Sequence, residues 1–319
     1  MPAPLQASSS GAFPTGAAPG PRERGCRCYG RTHMAGAWPV APADTLRLGG
    51  EVSTGAENTD YLLGNADPRA ERRFDALAQL FDARTIAYLT ALGVTRGWSC
   101  WEVGAGGGSI AEWLAGVVAP SGSVLATDLD LRRLSAAAVP ALTAMRHDVV
   151  RDEIPTGAYD LVHARLLLVH LPERERVLDS LVGSLRPGGW VVIEDFDNMF
   201  LDVGSAATPE QAVVRKVALA FKRLLQDRGA DLAYARLLPD LLRARGLRDI
   251  AGEGRIVFGT GGSAASRLAA ANYSQVAEQM IGQSLCTSGE LRSALELLQD
   301  PKFGVATNLL ISAWGRRPS

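Results

Sequence analysis

Between residues 99 and 197, short apolar runs alternate with stretches whose apolar side chains recur every three or four positions. The runs Ser99–Val103, Val124–Thr127, Leu142–Arg146, Leu161–Ala164 and Trp190–Glu194 are too short for helices and read as strands. Between the first two, Ile110, Trp113, Leu114, Val117 and Val118 keep the helical period behind Ser109 and Glu112, which have capping-box spacing. A further helix is expected from Pro172, carrying Val177, Leu178, Leu181 and Leu185 and ending at Pro187-Gly188-Gly189. Strand and helix in alternation predict a parallel sheet with helices on both faces.

Both flanks of this region are more helical. Asp67-Pro68 reads as an N-cap with proline at the first helical position, ahead of a stripe of Phe74, Leu77 and Phe81. A second helix carries Ile86, Leu89 and Leu92 and stops at Gly93. After Asp197, Val213, Val217, Phe221 and Leu224 predict a helix, and a short one from Pro239 closes at Gly246. Arg255–Phe258 and Leu309–Trp314 read as two late strands that add to the sheet edge. Met1 to Asp44 is rich in Pro, Gly, Ala and Ser with no apolar period, which predicts a disordered tail. The expected organisation is a tail (1–44), an N-terminal helical lid (45–95) and an α/β domain (96–319) with a cover at about 199–300.

Composition narrows the function classes. The 319 residues are 47% apolar and 21% charged, enough for a well-buried core. With 33 basic and 34 acidic residues there is no surplus positive charge for a general phosphate-backbone binder, so no nucleic-acid partner is expected. No run approaches the roughly 18 apolar residues of a membrane span, nor do the first 30 residues hold a signal-like apolar core, which predicts a soluble, cytoplasmic protein. Cys26, Cys28, Cys100 and Cys286 are too scattered for a disulfide framework. Cys26, Cys28 and His33 lack a fourth ligand, so no metal is expected. A monomer or homodimer is expected.

The chemistry concentrates where strands end. Trp101-Glu102-Val103-Gly104-Ala105-Gly106-Gly107-Gly108-Ser109 joins the first strand to its helix, and glycines there let the backbone approach a ligand closely. The spacing G-x-G-x-G puts Ser109 where a dinucleotide fingerprint wants its third glycine, which disfavours a nicotinamide-dependent oxidoreductase. Asp128 ends the second strand, where a carboxylate accepts hydrogen bonds from both ribose hydroxyls; alone it would be a helix N-cap. Asp148 and Val149 end the third strand, positioned to read an adenine by a carboxylate and a backbone amide; alone Asp148 would be an exposed turn residue. The fourth strand exits through His163-Ala164-Arg165 into the same crevice.

With these four features in order, the chain from about Tyr61 onward resembles the class I S-adenosylmethionine-dependent methyltransferases. The resemblance implies a Rossmann-like, doubly wound, mostly parallel seven-stranded sheet with N-terminal helices and a late helical cover. It implies S-adenosylmethionine as cofactor, with Gly104, Gly106 and Gly108 against its methionine part, Glu102 holding that turn, Asp128 and Leu129 at the ribose, Asp148 and Val149 at the adenine, and Ala164 at the amino group. Tyr61, in Tyr61-Leu62-Leu63-Gly64-Asn65, belongs to the pre-domain element that also contributes to the cofactor site, and Arg72 or Arg73 faces either a cofactor carboxylate or solvent. With Ala313-Trp314-Gly315-Arg316, that element resembles the small-molecule enzymes of the ubiquinone-biosynthesis type and an actinobacterial branch. The implied acceptor is a small organic molecule, with secondary metabolism as its setting. Ala164-Arg165-Leu166-Leu167 stands where nucleic-acid amino methyltransferases carry Asn/Asp-Pro-Pro-aromatic. His163, His170 and Asp195 lie near strand ends as possible bases, and His170 is the catalytic candidate; its structural alternative is to brace the start of the next helix. A cofactor-binding protein without turnover is the non-enzymatic alternative.

Overall fold

The computed structural model describes residues 62–65, 67, 69–134, 139–199 and 208–319, all within a compact unit spanning 50–319. Tyr61, Pro68, Cys26, Cys28, His33 and the expected tail lie outside the described residues. At the centre is strand β1 (Ser99–Val103), flanked on one side by β2 (Ser123–Asp128) and then β3 (Leu142–Arg146). On its other side are β4 (Tyr159–Arg165) and β5 (Leu185–Asp197), and all five run parallel. The sheet order is β3-β2-β1-β4-β5-β9-β6: β9 (Leu309–Arg316) pairs antiparallel with β5, and β6 (Arg248–Arg255) pairs antiparallel with β9. The expected seven-stranded, mostly parallel α/β sheet is therefore present.

Alternation along each strand splits its side chains between the two faces. Trp101, Val103, Val162, Val191 and Ile193 meet α4 (Arg174–Gly183) and α6 (Leu238–Ala244) on one face. Their neighbours Cys100, Val124, Ala126, Leu161 and Val192 meet α2 (Ala83–Ala91) and α3 (Ser109–Val118) on the other. Above the sheet, α1 (Ala70–Leu77) packs Ala76 and Leu77 with Ala265 and Leu268 of α7 (Ala264–Gln275). A second cover core joins α5 (Pro209–Asp227), α8 (Ala277–Gly282) and α9 (Ser288–Leu297) through Phe221, Leu224, Met280 and Ala294. No helix among the described residues is long and apolar enough to cross a membrane.

Several boundaries differ from the sequence expectation for identifiable reasons. The Ser109/Glu112 capping box does not form: Gly108, at φ +84°, is the N-cap and Ser109 is the first helical residue. Asp67 is not the N-cap of α1 either; its Oδ1 accepts from the Arg69 N–H (2.8 Å), and the helix starts at Ala70. The two expected N-terminal helices are continuous, since a π-helical turn at Ala78–Asp82 carries α1 into α2 without a break. Leu185 opens β5 rather than closing α4, and Pro187-Gly188-Gly189 is a bulge within that strand between the Tyr159–Leu185 and Leu161–Trp190 pairs. Glycine is needed there, because a Cβ on Gly189 would sit 2.9 Å from the Tyr159 carbonyl oxygen. Of the expected late strand Arg255–Phe258, Arg255 ends β6 and Phe258 begins β7 (Phe258–Thr260), which pairs with β8 (Gly304–Ala306) in a separate two-stranded sheet. The edge strand β6 is mostly exposed and carries no apolar alternation, so its order comes from pairing with β9.

Candidate functional site

A cavity of about 1480 Å³ opens where β1 to β4 end, between the sheet and its helical cover. Its floor begins with the turn after β1. Gly104 and Gly106 adopt φ +67° and +53°, which glycine accepts without the Cβ clash of other residues. The turn passes beneath Phe74 of α1, and a Cβ on Gly106 would lie 2.6 Å from Phe74 Cε1. Gly108 packs instead towards Leu134 and caps α3.

Asp128 ties this turn to the end of β2. Its Oδ2 accepts from the Gly106 N–H (2.9 Å), while Oδ1 accepts from the Asp130 N–H (3.1 Å) and Asn65 Nδ2 (3.2 Å). Burial still raises its carboxyl above the usual range, against the pull of the Asp130 and Gly106 donors. Leu129 lines the wall beside it. At the end of β3, Asp148 and Val149 line the cavity as well; Asp148 Oδ1 accepts from the Val150 N–H (3.0 Å), and the Asp148 N–H donates to Asp152 Oδ2 (2.7 Å). Ala164 is buried, and the wall at the end of β4 is formed by Arg165, Leu166 and Leu167.

The three possible bases separate clearly. His170 faces the cavity, where burial and the nearby Arg73 and Arg174 cations push its imidazole down to about 4, leaving it neutral at physiological pH. His163 lies inside the sheet, with Nδ1 2.7 Å from Glu102 Oε2 and Nε2 3.1 Å from Glu194 Oε2. Burial opposes its charge, but the two carboxylates outweigh it and raise the imidazole to about 9. Glu194 also accepts from Thr85 Oγ1 (2.6 Å) and from Ser312 Oγ; burial opposes its charge too, yet His163 leaves it below the usual range. Asp195 is fully buried on the opposite face and accepts from the Val169 N–H (3.2 Å); burial raises it to about 8. Neither His163 nor Asp195 reaches the cavity wall, so the expectation that each is a possible base is corrected for both.

Arg73 and Arg72 also part company. Arg72 is exposed, whereas Arg73 is buried at the cavity wall, donating to Gln275 Oε1 (2.7 Å) and Asn65 Oδ1 (2.9 Å). Asn65 therefore bridges Arg73 and Asp128, a link that sequence reading missed. The available signal was only the nearness of Asn65 to Arg73, because Asp128 lies 63 residues further on.

A family model described as a methyltransferase domain matches residues 64–251, more than half of the chain. The chain belongs to this methyltransferase-domain family. Curated relatives of the methyltransferase domain include methyltransferase str2 of Strobilurus tenacellus, 28% identical over 191 residues, covering 59% of this chain and 67% of the relative. A ubiquinone biosynthesis O-methyltransferase of Burkholderia ambifaria is 29% identical over 130 residues, covering 39% of this chain and 54% of the relative. In fold, the chain is similar to phosphoethanolamine N-methyltransferase 2 of Haemonchus contortus, solved with phosphomonomethylethanolamine and S-adenosylhomocysteine. That match has a TM-score of 0.50 at 18% identity and covers 81% of this chain but 59% of the other.

Proposed function

We infer that this chain is an enzyme that transfers a methyl group from S-adenosylmethionine to a small organic acceptor. The observation that carries the reading is the continuous cavity, with the Gly106–Asp128 pair on its floor and the α5–α7 cover on its far wall. At about 1480 Å³ it exceeds the roughly 300–1,000 Å³ of a typical single-ligand pocket, which leaves room for two molecules side by side.

The residues present fit the cofactor. Asp128 offers a half-buried carboxylate to a pair of hydroxyls, Asp148 and Val149 suit an adenine edge, and the glycine turn leaves backbone close to the methionine part. Arg73, buried at the cavity wall, suits the methionine carboxylate. Bound there, the cofactor supplies a sulfonium-activated methyl group. The chain's own contribution is to orient the acceptor and exclude water, which by itself lowers a barrier by several kcal/mol. Of His163, His170 and Asp195, His170 is the one at the wall; as a neutral imidazole it is able to accept a proton from an O–H or N–H acceptor.

The N-terminal lid at 45–95 and the segment at about 199–300 act as the acceptor cover, a role supported by the packing of α1 on α7, both of which line the cavity. The likeness to the ubiquinone biosynthesis O-methyltransferase over 39% of the chain supports a small-molecule acceptor of that general type. Calorimetry with S-adenosylmethionine, S-adenosylhomocysteine and NAD, followed by a turnover screen on small acceptors, tests the reading. Binding of NAD alone overturns the cofactor, and cofactor binding with no turnover on any acceptor favours a non-catalytic binder.

A further inference from the structure

The chain leaves β4 under strain. Leu166, the first residue after that strand, holds φ +56°, a left-handed backbone that a bulky side chain rarely adopts. Asp249 and Ser284 share the sign among the described non-glycine residues, but Leu166 is the one that lines the cavity. A 3-10 turn, Leu168–His170, carries the wall onward, and Leu167, Val169 and His170 line it too. Leu167 packs on the glycine turn, since a Cβ on Gly104 would lie 3.2 Å from its Cδ1. On the other side the Val169 carbonyl accepts from the Asp231 N–H (3.0 Å), in the loop that leaves α5 of the cover. The segment therefore runs from the cofactor corner to the cover.

A strained backbone persists only where its surroundings hold it. Two consecutive residues of β5 do so here. The Glu194 carbonyl accepts from the Leu166 N–H (2.7 Å), and Asp195 Oδ2 accepts from the Val169 N–H (3.2 Å), with the Leu167 and Leu168 amides acting on the same carboxyl. Asp195 is fully buried on the strand face of Val191 and Ile193, where the core is apolar. Its Oδ1 is out of solvent and makes no hydrogen bond among the described residues. Burying a carboxyl with one oxygen unpaired costs stability that an aliphatic side chain would not, so packing does not account for an aspartate at this position.

We propose that Asp195 is a positioning residue: by accepting from the turn after β4 it fixes Leu166, Leu167 and His170 as the wall along which the methyl acceptor lies. The acceptor in this statement rests on the methyltransferase reading above. Asp195 acts through the turn, since it does not itself line the cavity. One consequence is measurable without any acceptor. The tether keeps the His170 imidazole out of water, where Arg73 of α1 and Arg174 of α4 face it with positive charge. Releasing the turn lets water reach the ring and restores its affinity for a proton.

The test is an NMR titration of the full chain, isotope-labelled only at its four histidines, His33, His147, His163 and His170, with the His170 signal assigned by its loss in His170→Gln. In the unmodified chain His170 should stay neutral down to about pH 5. Asp195→Ala removes the acceptor, and His170 should then titrate between about pH 5 and 7. Asp195→Asn keeps an oxygen for the Val169 N–H and should hold the ring neutral over that range, a rescue that a loss of stability alone would not produce. Unmoved His147 and His163 signals show that the release is local. Asp195→Val, which a buried strand accepts readily, takes the place of Asp195→Ala if the latter does not fold. A His170 that stays neutral when the acceptor is removed overturns the proposal, and so does an Asp195→Asn variant that behaves like Asp195→Ala. Calorimetry of the unmodified chain with S-adenosylhomocysteine is read separately: absence of binding there overturns the methyltransferase reading and leaves the tether standing.

Discussion

Asp128 and Gly106 are joined by a 2.9 Å hydrogen bond from the glycine N–H to the aspartate Oδ2. The end of β2 and the turn after β1 are thus one unit, and the carboxylate that faces the cavity also shapes its floor. Replacing Asp128 by Ala should weaken S-adenosylhomocysteine binding by roughly tenfold or more, the equivalent of about 1.5–3 kcal/mol of charge-assisted hydrogen bonding. Calorimetry on the folded variant checks this, and unchanged affinity would sink the ribose assignment.

Gly106 lies under an aromatic ring with a positive φ, so two separate costs attach to a side chain there. Gly106→Ala should lose about 1–2 kcal/mol from the left-handed backbone and a further amount from the 2.6 Å approach to Phe74 Cε1. Adding Phe74→Ala should return only the second part. Urea melts of the two single variants and the double variant separate them; full recovery in the double would show that the backbone strain is absent.

His170→Ala should cost less than about 100-fold in turnover at a temperature where the variant is folded, below most of the range expected for a positioned general base. Because the wild-type imidazole is held down to about 4, its kcat profile should show no acidic limb near 6.5. A larger loss on unchanged stability, with a limb near pH 4 that vanishes in the variant, would make His170 the base.

The buried titrating groups set a direction for stability against pH. His163 is raised from 6.5 to about 9, so its contribution is full below 6.5 and is lost as pH rises through 9. Asp195, raised from 3.8 to about 8, also loses stability as pH rises through its window. His170 works oppositely: lowered from 6.5 to about 4, it costs stability as pH falls across that interval. His170 and Asp195 therefore nearly cancel between 4 and 6.5, while Asp195 and His163 act together above. Chemical denaturation should show a plateau between about 4 and 6.5 and then a decline towards 9. Asp195→Asn should make the decline between 6.5 and 8 shallower, and an unchanged slope would count against a protonated Asp195.

His163 bridges two buried acidic side chains, and replacing it with Gln leaves Glu102 and Glu194 facing each other inside the sheet. The expected loss is about 3–5 kcal/mol, the cost of breaking a buried pair. Glu102→Gln in the same chain should restore part of it, which a double-mutant cycle measures. Additive losses would show that the imidazole carries no charge.

Strands with apolar runs were legible to the residue: β1, buried between β2 and β4, and β3, an edge strand that still carries Leu142, Ala144 and Met145, begin and end where the hydrophobic pattern does. The edge strand β6 was not, since Arg248 to Arg255 carry few apolar groups and depend on β9 for their order. In the cavity, Asp128, Asp148, Val149 and the turn through Gly106 were visible because strand ends announce their own position. His163 was visible as a residue but not in its surroundings. Its partners come from neighbouring strands 61 and 31 residues away, and only the register Glu102 opposite His163 brings them together. Likewise Ser109 and Glu112 have capping-box spacing, yet no box forms, because Gly108 takes the N-cap position and Ser109 is already helical.

Strand β9 is the last element of the chain, yet it inserts between β5 and β6 and carries Ser312 to Glu194. More than a hundred residues must be synthesised after Asp197 before Leu309 emerges. At about 5–20 residues per second this leaves the far edge of β5 open for roughly 6 to 20 seconds on the ribosome. During that interval a strand of thirteen residues presents unpaired backbone beside a buried carboxylate that still lacks one hydroxyl donor. A ribosome that stalls or drops off before residue 309 would release a chain with its five parallel strands and that edge exposed, a species prone to self-association and a ready target for chaperones.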